Sequence, residues 1–574
     1  MRRSGTGKVC RIAAVASVTL GCYSTGEGPE PVANALYFPV GFAVSPGGGA
    51  LYVANSDFDL QYNGGTVEAY DLNALRQFLQ PLWSPDPSRS AADVCGELGL
   101  GVNTSPILTP GPCGPLNPGA LPEAYRAVSQ MPIVRASAKI GAFATDSLYV
   151  CHPGADPSAG SADCLRGEAD ERGARLFVPV RGDPSLTFFD VDDDRPGPNG
   201  KQNFLLDCGQ VSNRGRCADS HRAGIDANDN TRGLTLPAEP FGIAVSDRAD
   251  AIVIAHQSPG AGAVSLFTGR GDEGPSVLDV KPRLEFVFGS LPGAATGVAA
   301  VPIPGAVLQW SLAAANYQPG FVVTYRGASQ ADVFRFFDDS FAAPARPFLT
   351  RVGYFPLSAT PSGLDSRSIA IDHGPSTKRG ICESACRTTR QGCVDACAAI
   401  AGAEDRAACE AACGIDVRSC LGTCTRIPLP VFISNRSPPS LLVGEVRTLD
   451  PTGSNDDVLI YDSVPLAQGP SRAVIGRIHD RRDPPGTFRS RIFVVCFDAR
   501  IIFIYDPVER RIDGEIRTGR GPHPLVMDPI EPIAYVGHFT DSYIGVIDLD
   551  GSHGSTFQTI VATIGVPVPP RESK

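Results

Sequence analysis

Short apolar or alternating runs, each bounded by turn residues, recur along the chain in groups of three. In one group the runs are Pro39–Ser45, Leu51–Asn55 and Thr66–Asp71, and similar groups start at Pro240 and Pro522. Each run has the length and composition of a β-strand. Many short strands joined by turns predict an all-β protein.

Seven runs occupy the second position of such a group. They are Leu51–Asn55, Leu176–Val180, Ile252–His256, Phe321–Tyr325, Val431–Asn435, Ile492–Cys496 and Ala534–His538. The groups resemble the YVTN-type β-propeller repeat, in which the first strand follows a Pro-x-Gly turn and the third strand ends in Asp. The resemblance extends from about residue 36 to residue 566 and implies a seven-bladed β-propeller domain, to which we assign residues 36–570. It implies almost nothing about function, because one fold carries many activities.

The composition agrees with a turn-rich β protein. The chain has 574 residues, of which 62 are Gly, 51 are Pro and 43% are hydrophobic, so turns are frequent and a large core can form. This balance excludes a coiled coil and a helical bundle. The formal net charge of −11 argues against a nucleic-acid partner, which would require a basic surface.

The first residues have the pattern of an export signal. Four basic residues precede the short apolar run Ile12–Leu20, and Val18–Cys22 resembles a bacterial lipobox, with Thr19 where Leu is preferred. We therefore predict a signal peptide over residues 1–21, lipidation of Cys22 and a tether over residues 22–35; an ordinary cleaved signal or a short anchor is the alternative. Removal of residues 1–21 changes the net charge from −11 to −15. The predicted location is the outer membrane, periplasm or cell surface, with the lipid as the only membrane contact.

Eight of the 17 cysteines form two mirrored groups with gaps of 4, 7 and 4 residues. At about 100° per residue, the four cysteines of each group lie within about 60° on one helix face. Two antiparallel helices would then pair them in a nested order: Cys382 with Cys424, Cys386 with Cys420, Cys393 with Cys413, and Cys397 with Cys409. We predict a disulfide-bonded helical hairpin over residues 380–426, inserted in blade five and the one clearly helical segment of the chain. A metal site is the weaker alternative, because two straight cysteine faces do not converge on one ion.

The remaining cysteines give further expectations. Three pairs that are close in sequence lie in polar segments and are predicted to form disulfides: Cys95 with Cys113, Cys151 with Cys164, and Cys208 with Cys217. Cys496 ends an apolar run and is predicted to be a buried free thiol. Disulfides require an oxidising compartment outside the cytoplasm.

Basic residues occur where the innermost strands are predicted to begin. Alignment of these strands places Lys139, Arg367 and Arg472 at the channel, with His523 one position earlier. A basic channel in an acidic protein favours an anionic ligand, which paired guanidinium groups would bind. The alternative is that each arginine pairs with a local acid such as Asp365 or Asp372.

Two more sets of polar residues are candidates. The ends of the second strands would place polar side chains at one rim of the channel: Asn55, His256, Tyr325, Asn435 and His538. The alternating carboxylates Asp190, Asp192 and Asp194 suit Ca²⁺, although the segment lacks the other features of an EF-hand loop. Hydrogen-bonded loop residues and a solvated acidic turn are the simpler interpretations. No cofactor is predicted apart from this structural calcium.

These observations lead to two main hypotheses about function, beside a third possibility, an accessory role in electron transfer or metal handling, which propeller folds also serve. The first is a non-catalytic cell-envelope lipoprotein whose propeller binds an envelope protein or a small anionic ligand, with the hairpin as a projecting arm. The second is a propeller hydrolase resembling lactonases, with a basic channel site. The sequence contains no G-x-S-x-G, H-E-x-x-H, P-loop or haem-attachment motif, so no catalytic residue is predicted.

Overall fold

The computed structural model describes fifteen parts of the chain. They are residues 28–83, 89–106, 109–151, 174–191, 194, 203–258, 262–269, 276–278, 280–303, 318–339, 344–357, 364–400, 402–447, 456–484 and 486–567. The predicted signal peptide, the lipidation site Cys22 and the first part of the tether lie outside these residues, as do Cys164 and Asp192.

Strands dominate the described residues and form seven antiparallel sheets. The first sheet consists of β1 (Pro39–Val44), β2 (Ala50–Asn55), β3 (Thr66–Asp71) and β4 (Val134–Lys139). The second consists of β5 (Leu148–Cys151), β6 (Ala174–Val180), β7 (Ser185–Val191), β8 (Leu206–Asp207) and β9 (Arg222–Ala223). The third consists of β10 (Pro240–Val245), β11 (Ala251–His256), β12 (Gly262–Thr268) and β13 (Arg283–Leu291).

The other four sheets each contain four consecutive strands. The fourth consists of β14 (Ala294–Val301), β15 (Gly320–Arg326), β16 (Gln330–Phe337) and β17 (Phe348–Pro356). The fifth consists of β18 (Ser366–Ile371), β19 (Leu429–Arg436), β20 (Pro439–Arg447) and β21 (Asp457–Pro465). The sixth consists of β22 (Pro470–Ile478), β23 (Arg489–Cys496), β24 (Ile501–Asp506) and β25 (Arg511–Arg517), and the seventh of β26 (Pro522–Met527), β27 (Ile533–His538), β28 (Tyr543–Asp548) and β29 (Ile560–Ile564).

Neighbouring sheets stack face to face around an axis. The first strand of each sheet contacts the first strand of the next sheet, and β26 contacts β1, so the contacts close into a ring. Hydrophobic clusters fill the spaces between sheets; for example, Val322 and Val333 of the fourth sheet pack with Ile433 of the fifth. Because a second strand is covered on both faces, its sequence is apolar at nearly every position, and β2, β11 and β27 are buried throughout. This arrangement is that of a β-propeller.

The seven predicted second strands coincide with β2, β6, β11, β15, β19, β23 and β27. The prediction that Lys139 lies at the start of an innermost strand is wrong, because Lys139 ends β4, the outermost strand of the first sheet. A long insertion between β3 and β4 separates this strand from its sheet in the sequence. The innermost strand of the second sheet is the short β5.

The insertion in the first sheet contains helices that the sequence analysis does not predict. They are α1 (Leu72–Trp83), α2 (Ala91–Glu97) and α3 (Glu123–Val128). Leu75, Phe78, Leu79 and Leu82 recur at helical spacing along one face of α1, and this face packs in the core between the first and seventh sheets.

The predicted helical hairpin consists of α4 (Lys378–Cys397) and α5 (Ala403–Cys424), inserted between β18 and β19. Disulfides join Cys382 to Cys424, Cys386 to Cys420, Cys393 to Cys413 and Cys397 to Cys409, which is the predicted nested order. Apart from cysteines, the buried core between the helices contains only Val417 and Leu421 among the described residues.

Further disulfides join Cys95 to Cys113 and Cys208 to Cys217. Cys151 is also disulfide-bonded. Cys496 is a buried free thiol, and burial raises the pKa of this thiol to about 12. Multiple disulfides fit an extracytoplasmic protein. Across the described ranges, no helix combines the length and the apolar character that crossing a membrane requires.

Candidate functional site

The first strands begin, and the second strands end, on the same face of the ring. Several first strands begin with a β-bulge: the register shifts between Ser366 and Ser368 in β18 and between Pro470 and Arg472 in β22. A bulge breaks the alternation of side chains, so residues at neighbouring positions turn to the same side. Arg367 lies at the bulge and Arg472 directly after it, and both reach the channel.

The channel contains a cavity of about 170 Å³ at these strand starts. Its lining includes Asp146, Arg367, Arg472 and His523, together with Gly242 and Gly297. The two glycines allow neighbouring first strands to approach closely; for example, a Cβ on Gly242 in β10 would come within 2.4 Å of Thr296 O in β14. Three of the four predicted channel residues therefore meet at one cavity.

Arg472 pairs with a carboxylate that the sequence analysis missed. Its Nη1 and Nη2 each donate to Oδ1 of Asp146 at 3.0 Å. Asp146 precedes β5 of the second sheet, whereas Arg472 belongs to the sixth sheet, and these sheets are not neighbours in the ring. The ion pair consequently crosses the channel. In the sequence, Asp146 is indicated by the polar Thr145–Ser147 segment, which directly precedes the short apolar strand β5.

Arg367 pairs locally, as the alternative interpretation expects. Its Nη2 donates to Asp365 Oδ2 at 3.0 Å, and its Nε lies 2.7 Å from Oδ1. Burial lowers the pKa of the Arg367 guanidinium, while Asp365 acts in the opposite direction. The group stays charged, because an arginine side chain is not deprotonated in proteins.

His523 faces the same cavity and forms no hydrogen bond with the described residues. Burial, and to a smaller extent the positive charges of Arg472 and Arg367, together lower the pKa of its imidazole to about 3. The ring is therefore neutral at physiological pH, with one N–H donor and one acceptor nitrogen. Both arginines therefore lie close enough to His523 to disfavour its protonated form.

Lys139 is not a channel residue, which corrects the prediction. As the last residue of β4 it lies at the edge of the first sheet, away from the axis. Its Nζ lies 3.2 Å from Oε1 and 3.1 Å from Oε2 of Glu30. Glu30 also accepts a hydrogen bond from Asn63, so this end of the predicted tether is attached to the first sheet.

The five predicted rim residues do not form an exposed rim. Asn55, His256, Tyr325, Asn435 and His538 are all at most 2% exposed. Each lies opposite the start of a first strand, where the next sheet covers it. The sequence predicts the shared position at the ends of the second strands, and the structure shows that the side chains there are buried between the sheets instead of facing an open rim.

Several of these buried side chains form hydrogen bonds. His256 Nε2 lies 2.7 Å from Ser265 Oγ, and His538 Nε2 accepts a hydrogen bond from Gly519 N at 3.1 Å. Burial lowers the pKa of His256 to about 4 and that of His538 to about 3. Asn435 Nδ2 donates to Pro438 O at 2.7 Å. The simpler interpretation of hydrogen-bonded polar residues thus describes Asn55, His256, Asn435 and His538, although Asn435 Oδ1 and His538 Nδ1 have no partner among the described residues.

The two described carboxylates of the predicted calcium segment have separate partners. Asp190 Oδ1 accepts from Arg175 Nε at 2.7 Å. Burial raises the pKa of Asp190, but His221 and Arg175 outweigh this effect and leave it below its ordinary value. Asp194 accepts hydrogen bonds from Ser45 and Gly47 at 2.8 Å. The structure does not bring these two carboxylates together, and Asp192 lies outside the described residues.

Cysteine sulfurs form the only clusters in the described part of the chain that could hold a metal. One cluster combines Cys382, Cys386 and Cys424, and the other Cys393, Cys397 and Cys413. They arise because neighbouring disulfides stack, with Cys386 Sγ 3.6 Å from Cys424 Sγ. Each sulfur already has a covalent partner, so no thiolate is left to bind a metal.

No family model and no curated protein matches the chain. Among solved structures, it is similar to the dihydro-heme d1 dehydrogenase NirN at 14% identity and a TM-score of 0.31, over 70% of this chain and 55% of that one. The chain thus spans about half the length of NirN. It is also similar to Kuenenia stuttgartiensis hydrazine synthase at 10% identity and a TM-score of 0.28, over 89% of this chain and 83% of that one. It is similar to virginiamycin B lyase from Staphylococcus aureus at 9% identity and a TM-score of 0.29, over 70% of this chain and 84% of that one.

Proposed function

We propose that this protein is an exported, lipid-anchored, seven-bladed β-propeller that binds a small anion in its central channel without transforming it. The observation that carries the proposal is that Arg367 and Arg472 face one cavity and act together on His523. The seven-blade count is supported by the ring of contacts among first strands, which returns from β26 to β1.

The charge of the channel supports an anionic ligand. Each guanidinium has five N–H donors, and the carboxylates Asp146 and Asp365 engage only some of them. Arginine binds carboxylate and phosphate groups through pairs of such donors. Since the arginines lie in the neighbouring fifth and sixth sheets, one anion can contact both.

The state of His523 supports binding over catalysis. A hydrolase resembling lactonases would need a general base, and a base works best with a pKa near the operating pH. The pKa of His523 is lowered to about 3, so this imidazole accepts a proton only weakly at neutral pH. The neutral ring instead suits a hydrogen-bonding role in a binding site.

The binding proposal predicts that Arg472→Gln weakens the affinity for the best-bound anion at least tenfold. Isothermal titration of the mature chain at low salt, with acetate, glycolate, phosphate and sulfate as probes, measures this. Arg477→Gln is the matched control, because Arg477 lies in the same strand but donates to Pro529 O at 2.7 Å, away from the cavity. Equal affinities of wild type, Arg472→Gln and Arg477→Gln would contradict an anion site at the channel.

Lipid anchoring at Cys22 is part of the proposal and has its own test. Cells fed a labelled fatty acid should incorporate the label into the wild-type protein but not into Cys22→Ser. Both proteins should be exported, because the basic and apolar parts of the predicted signal are unchanged. An unlabelled wild-type protein would support the ordinary cleaved signal instead.

A protein partner at the helical hairpin is a second candidate function. Ile381 on α4 is 59% exposed and Ile415 on α5 is 65% exposed, on an arm whose two helices pack mainly against each other. A partner from the envelope would cover such residues. Crosslinking in the native envelope should lose this partner in Ile381→Ser/Ile415→Ser and retain it in Val508→Ser, which changes an exposed side chain on the sixth sheet.

A further inference from the structure

The channel offers hydrogen-bond acceptors next to its guanidinium groups. Oδ1 of Asp146 accepts from both Nη atoms of Arg472 at 3.0 Å and from Ser147 N at 2.9 Å. For Oδ2 of the same carboxylate, the described residues provide no donor, and the Asp146 side chain is 18% exposed where it lines the cavity. His523 adds an acceptor nitrogen without a protein partner in the described ranges.

A ligand in this cavity contacts both the positively charged guanidinium donors and the acceptors of Asp146 and His523. Its charge attracts Arg367 and Arg472, but an anion without a proton would face the Asp146 carboxylate with nothing to donate, and like charges repel. An anion that carries an O–H group can donate it to Asp146 Oδ2 and keep its negative oxygens on the arginines. Sites built around such a hydrogen bond reject analogues that lack the donor, because a buried polar group is then left unpaired.

We infer that the channel selects anions that carry their own hydrogen-bond donor, such as hydrogen phosphate or an α-hydroxycarboxylate, over sulfate or a simple carboxylate. This inference rests on the proposed anion site and names the class of its ligand. The cavity, of about 170 Å³, has room for a small anion of this kind.

Two pairs of probes of matched shape test the selectivity. Phosphate and sulfate are both tetrahedral, but at pH 7 phosphate retains at least one proton, whereas sulfate has none. Glycolate and acetate differ in one hydroxyl group. Titration calorimetry on the wild-type mature chain should give at least tenfold tighter binding of phosphate than of sulfate, and of glycolate than of acetate.

Two variants identify Asp146 as the selective group. Asp146→Asn removes the charge and supplies an N–H₂ donor, so sulfate should bind more tightly than to wild type and the preference for phosphate should fall at least tenfold. Asp365→Asn is the matched control, because it also removes a carboxylate from an arginine pair. Asp365 does not line the cavity, so its variant should change the affinities for phosphate and sulfate by similar factors.

The outcomes separate this inference from the proposed anion site. Equal binding of phosphate and sulfate by wild type, with both weakened by Arg472→Gln, would overturn the selectivity and leave the anion site in place. Absence of binding for all four probes would overturn both. The comparison of probes on wild type needs no substitution, so it decides the question even where Asp146→Asn fails to fold.

Discussion

Glu68 is a carboxyl group in the middle of β3 with no exposed surface. Tyr70 donates a hydrogen bond to its Oε2 at 2.9 Å, but burial outweighs this contact and raises the pKa of Glu68 to about 7, from an ordinary value of 4.5. Between these two values the folded protein holds a proton that the unfolded chain has lost. The free energy of unfolding therefore falls as the pH rises from about 4.5 to about 7. Above pH 7 the loss caused by Glu68 is complete and does not change further with pH.

Glu68→Gln should remove this loss of stability. The variant and wild type should be similarly stable near pH 4.5, whereas at pH 8 the variant should be more stable by on the order of 3 kcal/mol. Urea unfolding at both pH values measures the difference, with the exposed Glu509→Gln as the control. If wild type and Glu68→Gln lose the same stability between the two pH values, Glu68 is ionised in the folded protein.

At the scale of residues, the sequence predicts some of the channel residues and not others. Arg367 and Arg472 were found because both stand at predicted strand starts. Arg367 lies at the bulge of β18, whereas Arg472 lies one residue after the bulge of β22. The sequence does not predict this difference, because a bulge turns side chains to another side without changing the order of polar and apolar residues. Asp146 was missed because its ion pair joins sheets two and six, and a contact across the ring leaves no local pattern.

At the scale of elements, the two insertions behave differently. The hairpin was predictable because eight cysteines repeat at spacings that only two facing helices satisfy. Helix α1 also has an apolar face at helical spacing, but the pattern of short apolar runs predicts only strands outside the hairpin. The insertions also differ energetically, because the hairpin has its own small core, whereas α1 shares the core of the first and seventh sheets.

Replacing residues 373–428 by an Asn-Gly turn should leave the propeller folded. Asp372 N donates to Pro430 O at 2.9 Å, so the two strand ends are already adjacent, and Asn-Gly forms tight hairpin turns. The thermal midpoint should stay within a few degrees of wild type, and the helical signal in circular dichroism should fall.

The equivalent change in the first sheet provides the control. Asp71 N donates to Ile133 O at 2.9 Å, so residues 72–132 can be replaced by the same turn. This deletion removes the buried Leu75, Phe78 and Leu79 from a shared core, and we expect it to abolish cooperative unfolding. Similar stability of the two deletions would contradict the distinction between a separate arm and an integrated helix.

At the scale of the whole molecule, the ring needs a junction between its first and last sheets. Each of these sheets consists of consecutive strands, so neither is completed by a strand from the other end of the chain. The insertion after β3 supplies the connection instead: Leu116 N donates to Thr563 O at 2.8 Å, and α1 packs against β29. The repeat pattern could predict the sheets, but not this junction, because the segment that forms it has no counterpart in the other repeats.

One buried ion pair lies at this junction. Arg76 on α1 places Nη1 2.7 Å from Asp528 Oδ2, and Tyr535 OH donates to the same oxygen at 2.8 Å. The Asp528 side chain has no exposed surface. Removing one partner of a buried pair leaves an uncompensated charge, which costs about 3–5 kcal/mol.

Arg76→Met should therefore lower the urea midpoint of the entire propeller, since a ring opened at its junction loses contacts on both sides. Arg511→Met is the control, because Arg511 is 60% exposed and lies 3.7 Å from Asp513, and exposed pairs contribute less than about 1 kcal/mol. Adding Asp528→Asn to Arg76→Met should recover part of the loss, because a neutral amide is less costly to bury than an unpaired carboxylate. A midpoint for Arg76→Met no lower than that of Arg511→Met would show that the first and last sheets are held together without this pair.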